Sequence, residues 1–585
     1  DSVVDARALR EIYLAGFKRA LDRGKPWAVM SSYNLLNGVR VSQNAWLLTT
    51  VLREEWGYDG LVVSDWYGIR DRPASLAAGN DLSMPERKKE KAGLADAVRS
   101  GQIPESVLDA SCLRMIRLAR RIASGRRSGV KADYDAHHRL AQDIAAESIV
   151  LLKNERGVLP FTPEKARRIA VIGLPAQEPV VQGSGCSTTV PYMWDIPLDE
   201  IYQLAGGDIA VDYAVGAPDG YAIDPLQEQR AVDAAAAADA AVVFVSTGVG
   251  EDGESGDRAN LDILPAHAAL IRAVGEKQPN TVVVVANGDA VVMPWQGSAA
   301  AILETFYGGQ GMGGAVARIL FGKANPCGKL SVSFPASLEG TPGHLAYPGE
   351  NYRHRYAEGL HVGYRYYDAL GIEPAYPFGF GLGYSRFDYA DLRLSRSRLE
   401  HGESLEATLD VTNAGALSGK EIVQLYVAPP PGRYRRERQA LKAFCKVALR
   451  AGETRSATLR LEWTDFAHFD PERGKWLVDP GEYGIRIGKS SRDIVLEQTL
   501  FVNARNMPPL IREESMAALL LENPPVLDRV ARLVADKTGS DAVHVRAWLE
   551  RMAPTFFTGL YTTLSETMNL DISRAELAGA LADQE

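Results

Sequence analysis

Two stretches of the chain carry carboxylates in settings where a carboxylate can do chemistry. In Gly60-Leu61-Val62-Val63-Ser64-Asp65-Trp66-Tyr67-Gly68 an apolar run of strand formers stops at a serine, an aspartate and an aromatic. A buried parallel strand delivers polar groups to a sheet or barrel edge in this way, which puts Asp65 at such an edge. Aspartate at a strand end also serves as a turn or cap residue, so the stretch alone leaves both roles open. The second stretch, Thr247-Gly248-Val249-Gly250-Glu251-Asp252-Gly253-Glu254-Ser255-Gly256-Asp257-Arg258, follows an apolar run that ends at Val245. Open α/β sheets bind ligands on loops at the C-terminal edge of their strands. A solvated acidic loop or a cation site is the plainer reading, although the spacing of glycines and acids does not match an EF-hand loop. Two carboxylates from different domains meeting in one cleft suit glycoside hydrolysis, where one attacks or stabilises the anomeric carbon and the other donates a proton. Such pairs also serve other hydrolases and metal sites, and spacing in sequence does not decide between them.

The elements that must position these residues are readable in outline. Apolar residues at helical spacing (Leu9, Ile12, Tyr13, Phe17, Leu21) precede a strand-like run from Trp27 to Asn34. A helix from Trp46 to Trp56, the Asp65 strand, a further helix and the strand-like stretch Ala77 to Pro85 complete a βαβα rhythm that favours a parallel sheet. A closed (β/α)₈ barrel needs about 250 residues, so only its C-terminal part is expected here. Residues 92 to 156 read as helices with a basic link near Ser124 to Gly129. A second α/β domain follows, with nearly all-apolar strands at Arg168 to Gly173, Ala240 to Val245, Thr281 to Ala286 and Ala300 to Thr305. From about residue 386 short alternating strands and turn residues predict an all-β sandwich, and from about 507 the chain reads as helical.

Composition excludes several functions. At 585 residues, 46% hydrophobic and 24% charged, this is an ordinary globular chain too long for one core. A net charge of −9 argues against nucleic acid, and the Arg433, Arg435, Arg436, Arg438 patch reads as a solvated turn. No run of about 18 apolar residues exists to span a membrane. The four cysteines, Cys112, Cys186, Cys327 and Cys445, are far apart and read as free thiols, with neither a disulfide framework nor a metal site. The chain starts without a methionine or a leader pattern, so it is expected to begin inside a domain.

Several segments in series resemble glycoside hydrolase family 3, the β-glucosidase and β-xylosidase family. They are Val29-Met30-Ser31-Ser32-Tyr33-Asn34 with Asn37-Gly38, Val62-Val63-Ser64-Asp65-Trp66, and Ala78-Gly79-Asn80-Asp81-Leu82-Ser83-Met84-Pro85. Glu147 to Asn154, Gly322 to Leu330 and Tyr376 to Ser385 continue the series, so the resemblance covers roughly residues 1 to 503. It implies a retaining exo-glycosidase with Asp65 as nucleophile and Trp66, Tyr33 and Met30 lining the sugar pocket, although core packing is the rival role for each. The acid/base glutamate of the family lies in a Glu-x-x-Asp-Arg context, which Glu254 with Asp257-Arg258 matches; Glu251 is the alternative. An acid of this kind is expected to have a raised pKa. The family holds glucose with an Asp, an Arg and a Lys-His pair from earlier barrel loops, which would precede residue 1. The resemblance implies no metal and no organic cofactor.

The organisation expected is therefore an α/β multidomain chain. Residues 1–125 form the C-terminal part of a TIM-like barrel, 126–145 a linker, 146–345 an α/β sandwich domain and 346–385 a connecting segment. Residues 386–503 form a fibronectin type III-like β-sandwich and 504–585 a helical extension that acts as a cap or a homodimer contact. The function expected is hydrolysis of terminal non-reducing β-D-glucosyl residues on glucosides or oligosaccharides, by a soluble protein with the cytoplasm favoured. The rivals are a β-xylosidase, a broad-specificity β-glycosidase, and a silent fragment that only binds or associates.

Overall fold

Apolar residues at helical spacing wind Leu14–Gly24 (α1), which stops where Lys25 turns left-handed at φ 45°. The strands Ala28–Ser31 (β1) and Leu61–Ser64 (β2) pair in parallel, in register from Ala28 with Leu61 to Ser31 with Ser64. Between them Trp46–Glu55 (α2) is wound as a π-helix, and Arg72–Ala77 (α3) follows β2 with the Asp71 carboxylate capping its first turn. The stretch Ala77 to Pro85, expected as a strand, contributes a single parallel bridge from Leu82 to Val63. The N–H groups of Asp81 and Leu82 both donate to the Val62 carbonyl, so the ladder bulges there and does not continue. This parallel, helix-flanked arrangement is the repeating unit of a β/α barrel.

Lys88–Arg99 (α4), Glu105–Gly125 (α5) and Tyr134–Ser148 (α6) lead into the second α/β region. The all-helical reading of residues 92 to 156 fails at its end, because Val150–Asn154 (β3) is a strand. Its first three residues, Val150, Leu151 and Leu152, are apolar and buried, as a strand added to a covered sheet requires. The sheet is completed by Arg168–Ile172 (β4), Ala210–Ala214 (β5), Ala240–Ser246 (β6), Thr281–Ala286 (β7) and Ala301–Glu304 (β8), in the order β3-β8-β7-β6-β4-β5. All neighbours are parallel except β3, which runs antiparallel to β8. Every residue of β6, β7 and β8 is buried, because helices cover both faces. The Glu147 carboxylate at the end of α6 pairs with Lys420 and Lys446, which tie it to the β-sandwich and hold its pKa below the usual range.

The sandwich consists of Phe387–Leu394 (β9), Ser404–Asn413 (β10), Gly419–Ala428 (β11), Ala440–Leu449 (β12), Thr454–Glu462 (β13), Gly481–Gly488 (β14) and Ile494–Asn503 (β15). One sheet runs β9-β10-β13, and β15, β14, β11 and β12 are neighbours in the other. The arginine patch beside it is not a solvated turn throughout. Arg436 and Glu437 have buried side chains, and the guanidiniums of Arg7 and Arg433 lie over the Tyr434 ring.

The structure is a computed structural model that describes residues 1–248, 254 and 258–584. It divides into a unit of Asp1–Ser397, Ser404–Glu462 and Tyr483–Leu500 and a unit of Arg398–Glu403, Trp463–Glu482 and Phe501–Glu585. In the second unit Pro524–Thr538 (α7), Ala542–Met552 (α8) and Arg574–Ala580 (α9) bury Val530, Leu549, Leu560 and Leu577 around one apolar core. Among the described residues no helix is long and apolar enough to cross a membrane.

Glu304 closes β8 with a side chain wholly removed from solvent. Its Oε1 accepts the Phe306 N–H at 2.8 Å, and burial pushes its pKa up to about 8. The folded carboxyl stays protonated to about pH 8, whereas the unfolded one ionises near 4.5. Its contribution is therefore complete below pH 4.5 and is lost as pH rises towards 8. Relative to Glu304→Gln, which does not titrate, the wild-type protein should lose stability across that window at up to about 1.4 kcal/mol per pH unit. Denaturant unfolding of both proteins at several pH values measures this, and a constant difference would refute the burial argument.

Candidate active site

Asp65 is the first residue beyond β2, at its C-terminal end, and is half-buried. Its N–H donates to the Ser31 carbonyl at 2.8 Å, so β1 holds its backbone, and its Oδ1 accepts the Trp66 N–H at 2.5 Å. The chain then turns sharply, with Tyr67 left-handed at φ 58° and the Gly68 N–H returning to the Asp65 carbonyl at 3.0 Å. The turn is clamped to the next segment by Tyr67 N–H to Met84 O and by Met84 N–H to Ser64 Oγ, at 3.0 and 2.9 Å.

Behind this turn lies a buried ion cluster. The Asp81 side chain has no exposure; its Oδ2 accepts from Arg53 at 3.0 Å and from the Val62 N–H at 2.9 Å, while its Oδ1 accepts from Arg114 Nε at 2.9 Å. Arg72 donates to the backbone carbonyls of Asn80 and Asp81. Burial lowers the pKa of both Arg53 and Arg72, against the pull of Asp81. The cluster fixes β2 two residues before its end, so it acts on the position of Asp65.

Glu254 lies in the loop after β6. The end of β6 is secured by the Ser246 N–H donating to His267 Nδ1 at 3.1 Å, and burial depresses that imidazole to about 4, so it is neutral. The loop after β4 reaches Glu254 from beside it, since β4 and β6 are parallel neighbours whose C-terminal ends share one edge. That loop is closed by Gln182 and Thr189, and at its tip the Cys186 N–H donates to Glu254 Oε2 at 2.7 Å. Gly185, at φ 71°, packs so closely that a Cβ there would lie 2.8 Å from the Glu254 Cβ. The Glu254 pKa is lowered, chiefly by the hydrogen bond with the Cys186 thiol and then by the Cys186 N–H. This is opposite to the raised value expected from sequence, because the carboxylate is solvent-exposed and faces two donors. The Cys186 thiol is pushed up by its bond to Glu254, by the Glu254 charge, and by the charge of Asp65. Carboxylates from two regions of the chain thus act on one thiol.

The other residues singled out by sequence fall as follows. Trp66 and Tyr33 are exposed; Gly68 packs under Tyr33 so that a Cβ there would lie 3.5 Å from the Tyr33 Cα. Tyr67, which sequence reasoning passed over, is exposed beside Trp66 with its ring edge-on at 6.5 Å. Met30 opens on an apolar hollow of about 320 Å³ bounded by Leu14 and Phe17 of α1 and by Leu48 and Leu52 of α2. Arg258 donates to the Ala290 carbonyl at 2.9 Å, while Glu251 and Asp257 lie outside the described residues. Among the described residues no cluster of His, Cys, Asp and Glu has the makings of a metal site. Cys186 was read only as a free thiol. The signal that would have found it is its place in a Gly-Ser-Gly-Cys loop leaving the strand next to the Glu254 strand.

Comparison with known proteins extends this picture. Residues 2–118 match the glycosyl hydrolase family 3 N terminal domain and 149–384 the glycosyl hydrolase family 3 C-terminal domain. Residues 421–491 match a fibronectin type III-like domain. The chain is 42% identical over 514 residues to the thermostable beta-glucosidase B of Acetivibrio thermocellus, covering 86% of this chain and 67% of that protein. It is 38% identical over 507 residues to an exo-alpha-(1->6)-L-arabinopyranosidase of Bifidobacterium longum, covering 84% of this chain and 66% of that one. The crystal structure of a Bifidobacterium adolescentis GH3 beta-glucosidase superposes with a TM-score of 0.83 at 36% identity, over 89% of this chain and 76% of that one.

Asp81→Ala should strand the Arg53 and Arg114 charges and destabilise the fold by about 3–5 kcal/mol, as breaking a buried ion pair does. Urea unfolding checks this. A loss below 1 kcal/mol would mean that water reaches the cluster.

Proposed function

The chain belongs to glycosyl hydrolase family 3, and from that premise we propose that it is a retaining β-glucosidase in which Asp65 is the nucleophile and Glu254 the acid/base. As a member of that family it is a glycoside hydrolase. The observation that supports the residue assignment is the placement of Asp65 at the C-terminal end of β2, beside the exposed Trp66 and Tyr33, and of Glu254 on a strand-end loop where it accepts the Cys186 N–H.

The chemistry follows from the two carboxylates. The Asp65 carboxylate attacks the anomeric carbon, the glycosidic C–O bond breaks, and Glu254 gives its proton to the departing oxygen. Water then attacks the glycosyl-aspartate while Glu254, now a carboxylate, takes the proton from it, and the sugar leaves with its configuration retained. Trp66 and Tyr33 offer exposed aromatic faces beside Asp65, suited to the C–H face of a pyranose. The lowered Glu254 pKa means that this group is ionised in the free protein at neutral pH. Turnover that needs an acid is therefore lost as pH rises through the Glu254 pKa, and an acidic optimum is expected on poor leaving groups. The resemblance to an arabinopyranosidase favours pentopyranosides as the second substrate class. Comparing kcat/KM for aryl β-D-glucoside, β-D-xyloside and α-L-arabinopyranoside decides between them.

Incubation with 2-deoxy-2-fluoro-β-glucosyl fluoride should add one fluoroglucosyl group to the peptide that contains Asp65, as read by mass spectrometry. A label on another peptide would overturn the nucleophile assignment, and no label would favour a chain that only binds. Asp65→Ala should lower kcat at least about 1,000-fold, the scale of losing a group that acts in the transition state. Glu254→Ala should impair poor leaving groups most and regain turnover of activated substrates with azide, which attacks without needing a base. If azide has no effect on Glu254→Ala, the acid/base lies elsewhere.

A further inference from the structure

The tip of the loop after β4 is shaped to a carboxylate. Gly185 leaves the volume that the Glu254 Cβ and carboxylate occupy, with Oε2 3.0 Å from where its own Cβ would stand. Cys186 aims its N–H at the same oxygen from 2.7 Å, and its thiol lies where the Glu254 carboxylate pushes its pKa up. We propose that Gly185 and Cys186 form a positioning cradle for Glu254, holding its carboxylate in one orientation and receiving the negative charge that develops as its proton leaves. The catalytic meaning of the cradle rests on the assignment of Glu254 as acid/base; the contact itself does not.

The physical reason is preorganisation. When a general acid gives up its proton, charge appears on its oxygens, and donors already aimed at them stabilise the transition state without reorganising. An exposed carboxylate on a glycine-rich loop would otherwise sample many orientations, and productive proton transfer needs one. Gly185 permits the approach because its left-handed backbone has no side chain, whereas any other residue there would push Glu254 away. The groups that set the Glu254 and Cys186 titrations among the described residues are each other and, for the thiol, Asp65. Cys186 does not touch the reacting atoms in this account; it acts through Glu254.

Because the coupling is reciprocal, it can be read without turnover. The thiolate is the species that alkylates, so the pH midpoint of iodoacetamide labelling of Cys186, followed by peptide mass spectrometry on the full chain, reports its pKa. In Glu254→Gln this midpoint should fall by roughly half a pH unit or more, since a neutral amide no longer opposes the thiolate. The exposed Cys112 serves as the internal reference and should not move. An unchanged Cys186 midpoint overturns the cradle. In kinetics, Cys186→Ala should move the alkaline limb of kcat/KM on phenyl β-glucoside to higher pH by roughly half a unit, because one donor to the anion is gone. Cys186→Ser, which keeps a donor, should not. Identical limbs in all three proteins overturn the positioning role. If labelling shows the coupling but Glu254→Gln leaves the leaving-group dependence intact, the acid/base assignment fails while the contact stands.

Discussion

The Asp81 carboxylate, with no solvent exposure, receives Arg53, Arg114 and the Val62 N–H, and the position of Asp65 depends on it. The strand that leads into Asp65 is four residues long, and its ladder to β1 is correspondingly short. A hydrogen-bonded ladder of that length does not by itself fix a strand to a fraction of an ångström. A buried ion cluster does, because any displacement leaves a charge without its partner. Such clusters contribute little net stability relative to apolar packing and a great deal of geometric definition. At the end of β2 that definition passes to the position of the Asp65 carboxylate.

The same division of labour holds in the second α/β region. Its central strands are apolar along their whole length and covered on both faces, so they leave no place for chemistry except the ends. Adjacent parallel strands present their following loops on one edge, which brings the Gly185–Cys186 tip after β4 to the Glu254 loop after β6. The Gln182–Thr189 closure keeps the first of these loops narrow, and the neutral, buried His267 secures the strand end from which the second departs. The sheet supplies rigidity and the loops supply approach.

Two glutamates in this region show how environment assigns a carboxyl its behaviour. Glu304, sealed from water, is pushed up to about 8; Glu254, exposed and faced by a thiol and an N–H, is held below its ordinary value. A search for the acid by raised pKa alone would choose Glu304, which faces the core. The exposed Glu254 carboxylate owes its lower value to the donors that the Gly185–Cys186 loop aims at it.

Much of this was legible in the residues themselves. The apolar runs through Val62-Val63 and Val242-Val243 announced buried parallel strands, and the polar residues where those runs stopped announced the edges, since hydrophobic periodicity is a local property. The ordered series of motifs was enough to name the family. The sequence alone did not reveal that Val150–Asn154 is an edge strand, that Leu82 makes only a bridge, or that Arg436 is buried, because each outcome is set by neighbours distant in the chain. It also did not reveal Cys186, 68 residues before Glu254. Residue types and their local order determined which groups could react and which elements would carry them. Only the tertiary structure decided which groups face one another and in what dielectric, because contacts and desolvation exist only once the chain is folded.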